Sequence, residues 1–274
     1  MTRIARAFER ARIGHRAALI TYLMAGDPDL RRTDALALAC EAGGADILEL
    51  GIPFSDPIAD GPEIGEAGQR SLRGGTRPGD VLSLAASLRT RTEIPLVVMT
   101  YLNPVLAMGV EAFAERVADA GVDGLLIPDV SSQISDELRD ALDRAGVDHV
   151  QLVAPATPPD RATAIARASR GFLYVVARHG TTGIRSKLPE DIENRIASLH
   201  RVTNLPLGVG FGVSTRDHVR TLASWGADGI VVGSAIVRFA AENPDPDRLR
   251  DFVADLAAGL PQAAASRVDR SNDP

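Results

Sequence analysis

The 274-residue sequence contains one cysteine, so no disulfide can form within the chain. That fits a reducing compartment, and the cytoplasm is the expected location. Cys40 sits in Ala-Leu-Ala-Leu-Ala-Cys-Glu-Ala, a helical pattern, and is expected to be a buried small hydrophobe. No apolar run approaches the length of a membrane span. Basic charge is also short: 30 Lys and Arg face 36 Asp and Glu, a net charge of −6. Nothing there calls for nucleic acid, although a local phosphate site remains compatible. No His, Cys and Asp spacing resembles a metal site. The turn after the first candidate strand, Ala25-Gly26-Asp27-Pro28, lacks the glycine pattern of a dinucleotide fold. Neither a metal nor a cofactor is expected.

Apolar runs are present in number. Candidate strands fall at 18–25, 45–51, 95–101, 124–129, 149–154, 171–178, 206–212 and 229–233. Most are near-continuous, as in parallel strands buried on both faces. Helical periodicity occupies 34–41, 81–89, 111–120, 134–145, 161–168, 188–199 and 216–225. One junction recurs before strands: Gly44-Ala45-Asp46, Gly121-Val122-Asp123, Gly146-Val147-Asp148 and Gly226-Ala227-Asp228. Its glycine suits the left-handed position that ends a helix. Eight strand–helix units in about 250 residues predict a closed (β/α)8 TIM barrel, with a doubly wound open sheet as the alternative. Residues 1–262 are expected to form this single domain, and the small, polar stretch 263–274 a frayed tail. The arginines at 3, 6, 10, 12 and 16 suggest an organelle-targeting segment, but Glu9 and the short interval before the first strand argue against one. An N-terminal helix turning Ile4, Ala5, Phe8 and Ala11 inward is expected to close one end of the barrel.

The stretch 49–62, Glu-Leu-Gly-Ile-Pro-Phe-Ser-Asp-Pro-Ile-Ala-Asp-Gly-Pro, breaks local rules. Glu49 interrupts the apolar strand end formed by Ile47, Leu48 and Leu50. Pro53, Pro57 and Pro62, with Gly51 and Gly61, argue against regular structure beyond it. The loop carries two further carboxylates, Asp56 and Asp60. Such violations tend to mark functional sites. In a barrel, Glu49 points into the C-terminal mouth and Asp60 hangs over it. Two carboxylates there suit acid–base chemistry if apolar surroundings raise one pKa while the wetter group stays ionised. An Asx turn before Gly61 is the plain structural reading of Asp60.

Two glycine turns, Gly210-Phe211-Gly212-Val213-Ser214 and Gly233-Ser234-Ala235, follow the last two strands, where barrels often bind phosphate through backbone N–H groups, and the second opens a helical segment over 235–238. Gly180-Thr181-Thr182-Gly183 lies in a long sixth loop and can add a wall. His15, His149, His200 and His218 fall at element ends or faces read as exposed, and no role is expected for them. His179 shares the sixth loop.

Together these residues resemble the tryptophan synthase alpha subunit family. The signature is Leu48-Glu49-Leu50-Gly51-Ile52-Pro53-Phe54-Ser55-Asp56-Pro57, continued by Ala59-Asp60-Gly61-Pro62. The likeness runs from Gly26-Asp27-Pro28 through Tyr101, Ile127-Pro128-Asp129, Thr182-Gly183 and Gly210-Phe211-Gly212 to Gly233-Ser234-Ala235-Ile236-Val237. It implies a (β/α)8 lyase that splits indole-3-glycerol phosphate into indole and glyceraldehyde 3-phosphate without metal or cofactor. It further implies Glu49 as acid–base residue and Asp60 at the indole N–H. Tyr22, Ile64, Tyr101 and Tyr174 are then expected around the substrate, and Thr182 and Gly183 in a lid. Phe211, Gly212, Gly233 and Ser234 are expected at the phosphate, and Pro53 and Asp56 toward a beta subunit in an alpha2beta2 heterotetramer. A stand-alone indole-releasing lyase and a non-catalytic phosphate-ester-binding barrel are the alternatives. The chain departs from the family pattern at Gly65, Ala177 and Thr181, where Gln, Ser and Val are usual.

Overall fold

A computed structural model describes residues 1–130, 135–177, 188, 191–210 and 212–261, with Ser135 by its backbone alone. Its strands are β1 (Ala18–Met24), β2 (Ile47–Gly51), β3 (Leu96–Met99), β4 (Gly124–Leu126), β5 (Asp148–Val153), β6 (Leu173–Val176), β7 (Leu207–Gly210) and β8 (Gly229–Val232). They pair in chain order, and β8 returns to lie parallel to β1, with Ala18 opposite Gly229. The sheet is therefore the closed barrel, not the open alternative. All eight strands fall within a residue or so of the expected runs at their starts and stop earlier at most C-terminal ends. There the chain leaves the sheet to build the loops over the mouth.

The helices are α1 (Arg3–Ile13), α2 (Leu30–Ala42), α3 (Pro62–Arg73), α4 (Pro78–Arg89), α5 (Leu102–Met108), α6 (Val110–Asp119), α7 (Ser135–Ala145), α8 (Pro159–Ala168), α9 (Ile192–His200), α10 (Arg216–Ser224), α11 (Ser234–Glu242) and α12 (Pro246–Ala257). Three of them, α3, α5 and α12, escape the periodicity reading. Pro62 does not prevent regular structure as expected: it occupies the first turn of α3, where a missing N–H costs nothing. Gly51 likewise belongs to β2.

Two shells of apolar side chains hold the barrel together. Outward residues such as Leu19, Leu48, Leu96 and Val209 pack under the helices, and Ile20, Ile47, Val97, Val150 and Phe172 fill the interior. The lower end is plugged by α1 through Ile4, Ala7, Phe8 and Ala11, a helical i, i+3, i+4, i+7 stripe. Ala7, rather than the expected Ala5, takes the inward place. Phe8 meets Phe172 with ring centroids 5.6 Å apart.

The repeated glycine–aspartate junction has a structural purpose. Gly44, Gly121, Gly146 and Gly226 all have positive φ, from 70° to 101°. In three of the four, the aspartate accepts a backbone N–H of the preceding strand: Leu19 to Asp46 at 2.9 Å, Leu96 to Asp123 at 2.9 Å and Leu207 to Asp228 at 2.8 Å. Asp148 instead accepts from the Thr2 hydroxyl. His149 corrects an expectation. It is 1% exposed on β5, and its Nδ1 has no hydrogen-bond partner among the described residues. Burial pushes its pKa down to about 4, which keeps the ring neutral. Cys40 is buried as expected, with its thiol pushed up to about 12 by burial.

Asp123 is 8% exposed and also accepts from Arg89 at 2.8 Å and Arg3 at 3.2 Å. Asp123→Ala removes all three partners and leaves the Arg89 guanidinium poorly compensated. Breaking a buried pair on one side costs about 3–5 kcal/mol. Urea unfolding is expected to show that loss as a lower midpoint with an unchanged slope. A loss under about 1 kcal/mol would mean that this junction does not hold β3 to β4.

Candidate active site

The mouth of the barrel is built around Glu49. Its place on β2 sets it opposite Tyr22 on β1 and Val97 on β3, with its side chain inside. It is 2% exposed. Burial, and secondarily the charge of Asp60, raise its pKa to about 8. Asp60, half-buried in the loop after β2, is also pushed up, to about 6, by burial, while a hydrogen bond from Tyr101 works against the rise. The expectation of one neutral and one ionised carboxyl therefore holds with a narrower gap. At neutral pH Glu49 is mainly protonated and Asp60 mainly ionised. The Asx-turn reading of Asp60 fails: its Oδ1 is buried without a hydrogen-bond partner among the described residues.

Tyr22, Glu49, Ile64, Tyr174, Gly212, Gly233 and Ser234, named from scattered parts of the sequence, line one cavity. Its other walls are apolar: Ala59, Met99, Leu126, Leu152 and Val231, with Pro128 and Val213, complete it, while Asp60 lines a separate cleft with Gly61, Gly65 and Arg70. Residues at inward strand positions could have been found by alternation along β3, β4, β5 and β8, but the runs are apolar on both faces and hide it. Gly51 and Gly210 admit the tyrosines. A Cβ on either would collide with the hydroxyl of Tyr22 or Tyr174 respectively. Burial raises both phenols well above their ordinary value, so they stay neutral.

Tyr101 does not line this cavity. Only 2% exposed, it stands behind Asp60. Its hydroxyl accepts the Ala59 N–H at 3.1 Å, next to Asp60. Its ring stacks on Phe54 at 5.2 Å, with 28° between planes. The loop is thus pinned at two points before its acid. Neither Phe54 nor Ala59 was expected to contribute. On the other flank, Arg70 of α3 grips Asp27 with two hydrogen bonds, at 2.7 and 2.8 Å, and ties the helix bearing Ile64 to the loop after β1. Pro53 is buried in its own chain, whereas Asp56 and Ile58 are exposed.

At the same cavity as Glu49, α11 begins at Ser234, which is 7% exposed. Gly233 precedes it and offers no side-chain cap, so the first amides of the helix remain available to an anion. Phe211, Thr182 and Gly183 lie outside the described residues, as do Thr181, His179, the expected 180–187 lid and the 263–274 tail. Among the described residues no group of three or more His, Cys, Asp or Glu could hold a metal ion. A larger groove of ≈ 1000 Å³ opens at the other end, beside α1. Its charges are of both signs, and it contains none of the expected site residues.

The family model of the tryptophan synthase alpha chain matches residues 8–263. This chain belongs to the tryptophan synthase alpha chain family. It is 44% identical over 247 residues to the tryptophan synthase alpha chain of Gloeobacter violaceus, covering 90% of each. To that of Opitutus terrae it is 44% identical over 261 residues, 95% of this chain and 98% of the other. Its fold superposes on a chain of Mycobacterium tuberculosis tryptophan synthase with a TM-score of 0.87, at 39% identity and over 94% and 98% of the two chains. A mutant alpha-subunit from Pyrococcus furiosus gives a TM-score of 0.82 at 37% identity, over 88% and 98%. Of the three departures from the family pattern, Gly65 has open space around an added Cβ, so glycine there is not required by packing. Ala177 is buried.

The raised pKa of Glu49 makes a signed prediction about stability. Both folded and unfolded states hold its proton below about 4.5. As pH rises from there toward about 8, the unfolded chain ionises first and the fold loses stability; above that the loss levels off. Glu49→Gln has no proton to lose. It is expected to match wild type in stability at pH 4 and to exceed it at pH 9, by up to about 5 kcal/mol. Chemical denaturation at the two pH values checks this. Equal stabilities at pH 9 would mean that Glu49 ionises without strain.

Proposed function

We propose that this chain cleaves indole-3-glycerol phosphate into indole and glyceraldehyde 3-phosphate, as the alpha subunit of tryptophan synthase. Family membership supports the activity. The observation that carries the mechanism is the buried Glu49 carboxyl of raised pKa in an apolar cavity, with the less raised Asp60 close enough to act on it and free helix amides at the same cavity. The flat walls of Tyr22, Tyr174 and Ile64 suit an indole ring. The first amides of α11, with Gly212, suit the phosphate. Protonated Glu49 delivers its proton to the ring carbon that bears the glycerol chain. Ionised Asp60, whose Oδ1 has no partner among the described residues, accepts the indole N–H and offsets the positive charge that the ring then carries. Glu49, now a carboxylate, takes the proton of the hydroxyl on the adjacent chain carbon. The carbon–carbon bond breaks, its electrons return to the ring, and the hydroxyl carbon becomes an aldehyde. Glu49 ends protonated, so the cycle is balanced within the chain, without a metal or a cofactor. Thr182, Gly183 and Phe211 are proposed to complete the lid and the phosphate wall.

The partner in this reading is a tryptophan synthase beta chain, in an alpha2beta2 assembly in the cytoplasm. Support comes from exposed Asp56 and from Ile58, 73% exposed, in the loop that also carries Asp60. None of the helices among the described residues is long and apolar enough to cross a membrane. The domain is proposed to run from 1 to 262, with 263–274 as a tail.

Indole release by wild type and Glu49→Gln tests the proposal. The variant should fold and lose activity by roughly 10²–10⁴, the usual worth of a positioned acid–base group. The wild-type kcat/KM profile should be bell-shaped, with apparent limbs near about 6 and about 8 belonging to the pair. Near-normal turnover in folded Glu49→Gln would remove Glu49 from the mechanism.

A further inference from the structure

Asp129 lies in the loop after β4, outside the cavity and away from both catalytic carboxyls in sequence. Its Oδ1 accepts the backbone N–H of Leu102 at 2.9 Å. Leu102 is the first residue of α5, and Tyr101, the residue before it, supplies no side-chain cap of its own. The start of α5 is therefore held from the neighbouring strand–helix unit by a charge-assisted hydrogen bond. Tyr101 sits at that anchored point. Its phenol is the group that holds the N–H of Ala59, the residue before Asp60. The negative charge of Asp129, like that of Asp60, also favours the protonated phenol, so Tyr101 stays neutral beside Asp60.

We propose that Asp129 is a positioning residue for the lyase reaction: it fixes the backbone at Tyr101 and, through the Tyr101 hydroxyl, the placement of Asp60 over the substrate. The proposal rests on the lyase reading above. The mechanical logic is short. Asp60 belongs to a loop rich in proline and glycine, and its Oδ1 has no bond among the described residues to orient it. Its placement then depends on the adjacent Ala59, whose N–H the Tyr101 hydroxyl accepts. Tyr101 lies between the end of β3 and the start of α5, where the Asp129 carboxylate substitutes for the missing cap. Two adjacent loops, after β3 and after β4, are thereby coupled to the acid in the loop after β2.

A double-mutant cycle on the full chain tests this, with indole release from indole-3-glycerol phosphate as the readout. The proteins are wild type, Asp129→Ala, Tyr101→Phe, the double variant and Asp129→Asn. Displacement of a reacting group by about 1 Å can cost on the order of 10² in rate, so Asp129→Ala is expected to lower kcat by about tenfold or more with KM within about twofold. Asp129→Asn keeps an acceptor oxygen and should retain most activity. In the Tyr101→Phe background, removing Asp129 should cost less than about twofold more, because the two act in series. Full additivity, a loss seen mainly in KM, or an Asn variant as impaired as the Ala variant would overturn the proposal. If Asp129→Ala does not fold, Asp129→Leu fills similar space without an acceptor and replaces it in the cycle. A wild-type chain that releases no indole would defeat the lyase reading itself; an active wild type with an additive cycle would defeat only this inference.

Discussion

The structure depends on keeping one carboxyl out of water. Glu49 is buried at the mouth of a barrel whose interior is otherwise apolar, and its proton is retained up to about pH 8 for that reason. A charge there would cost the fold several kcal/mol, which a marginally stable domain tolerates only if the rest of the barrel is sound. The surroundings fit that constraint. Gly51 and Gly210 admit two tyrosine rings that exclude water without adding charge. Asp60 stands close enough to raise the Glu49 pKa and is itself kept ionised at neutral pH.

The barrel supplies rigidity by means that are mostly remote from the mouth. The lower end is sealed by α1, and the aspartates of the glycine junctions stitch β1 to β2, β3 to β4 and β7 to β8. The mouth is steadied differently, by single long-range contacts. Tyr101 holds Ala59, next to Asp60, and Arg70 holds Asp27. The loops can thus carry function while the strands beneath them do not move.

Most of the fold is legible in the sequence because parallel strands buried on both faces write themselves as apolar runs. The closure follows from their number. The three unexpected helices have definite causes. Pro62 and Pro246 open α3 and α12 at positions where proline is favoured but reads as a breaker, and α5 is only 7 residues long with Pro104 inside it. Glu49 and Asp60 stand out because an acid in a strand end and a stiff loop of prolines conflict with local stability. His149 does not, since a lone histidine in an apolar run gives no sign of which face it takes. The bond between Asp129 and Leu102, and the support that Tyr101 gives Asp60, join different strand–helix units. No spacing within the chain encodes them; only the closed sheet brings them together.

The central claim is that the Glu49 carboxyl keeps its proton at neutral pH because of where the fold places it. The direct measurement is a titration of that one group, by 13C NMR of carboxyl-labelled glutamate, with Glu49→Gln to assign the resonance. The account predicts an apparent pKa near about 8 in the wild type, falling in Asp60→Asn as the neighbouring charge is removed but staying well above the ordinary 4.5. A wild-type value close to 4.5 would contradict it, because Glu49 would then enter the reaction already ionised and could not be the proton donor.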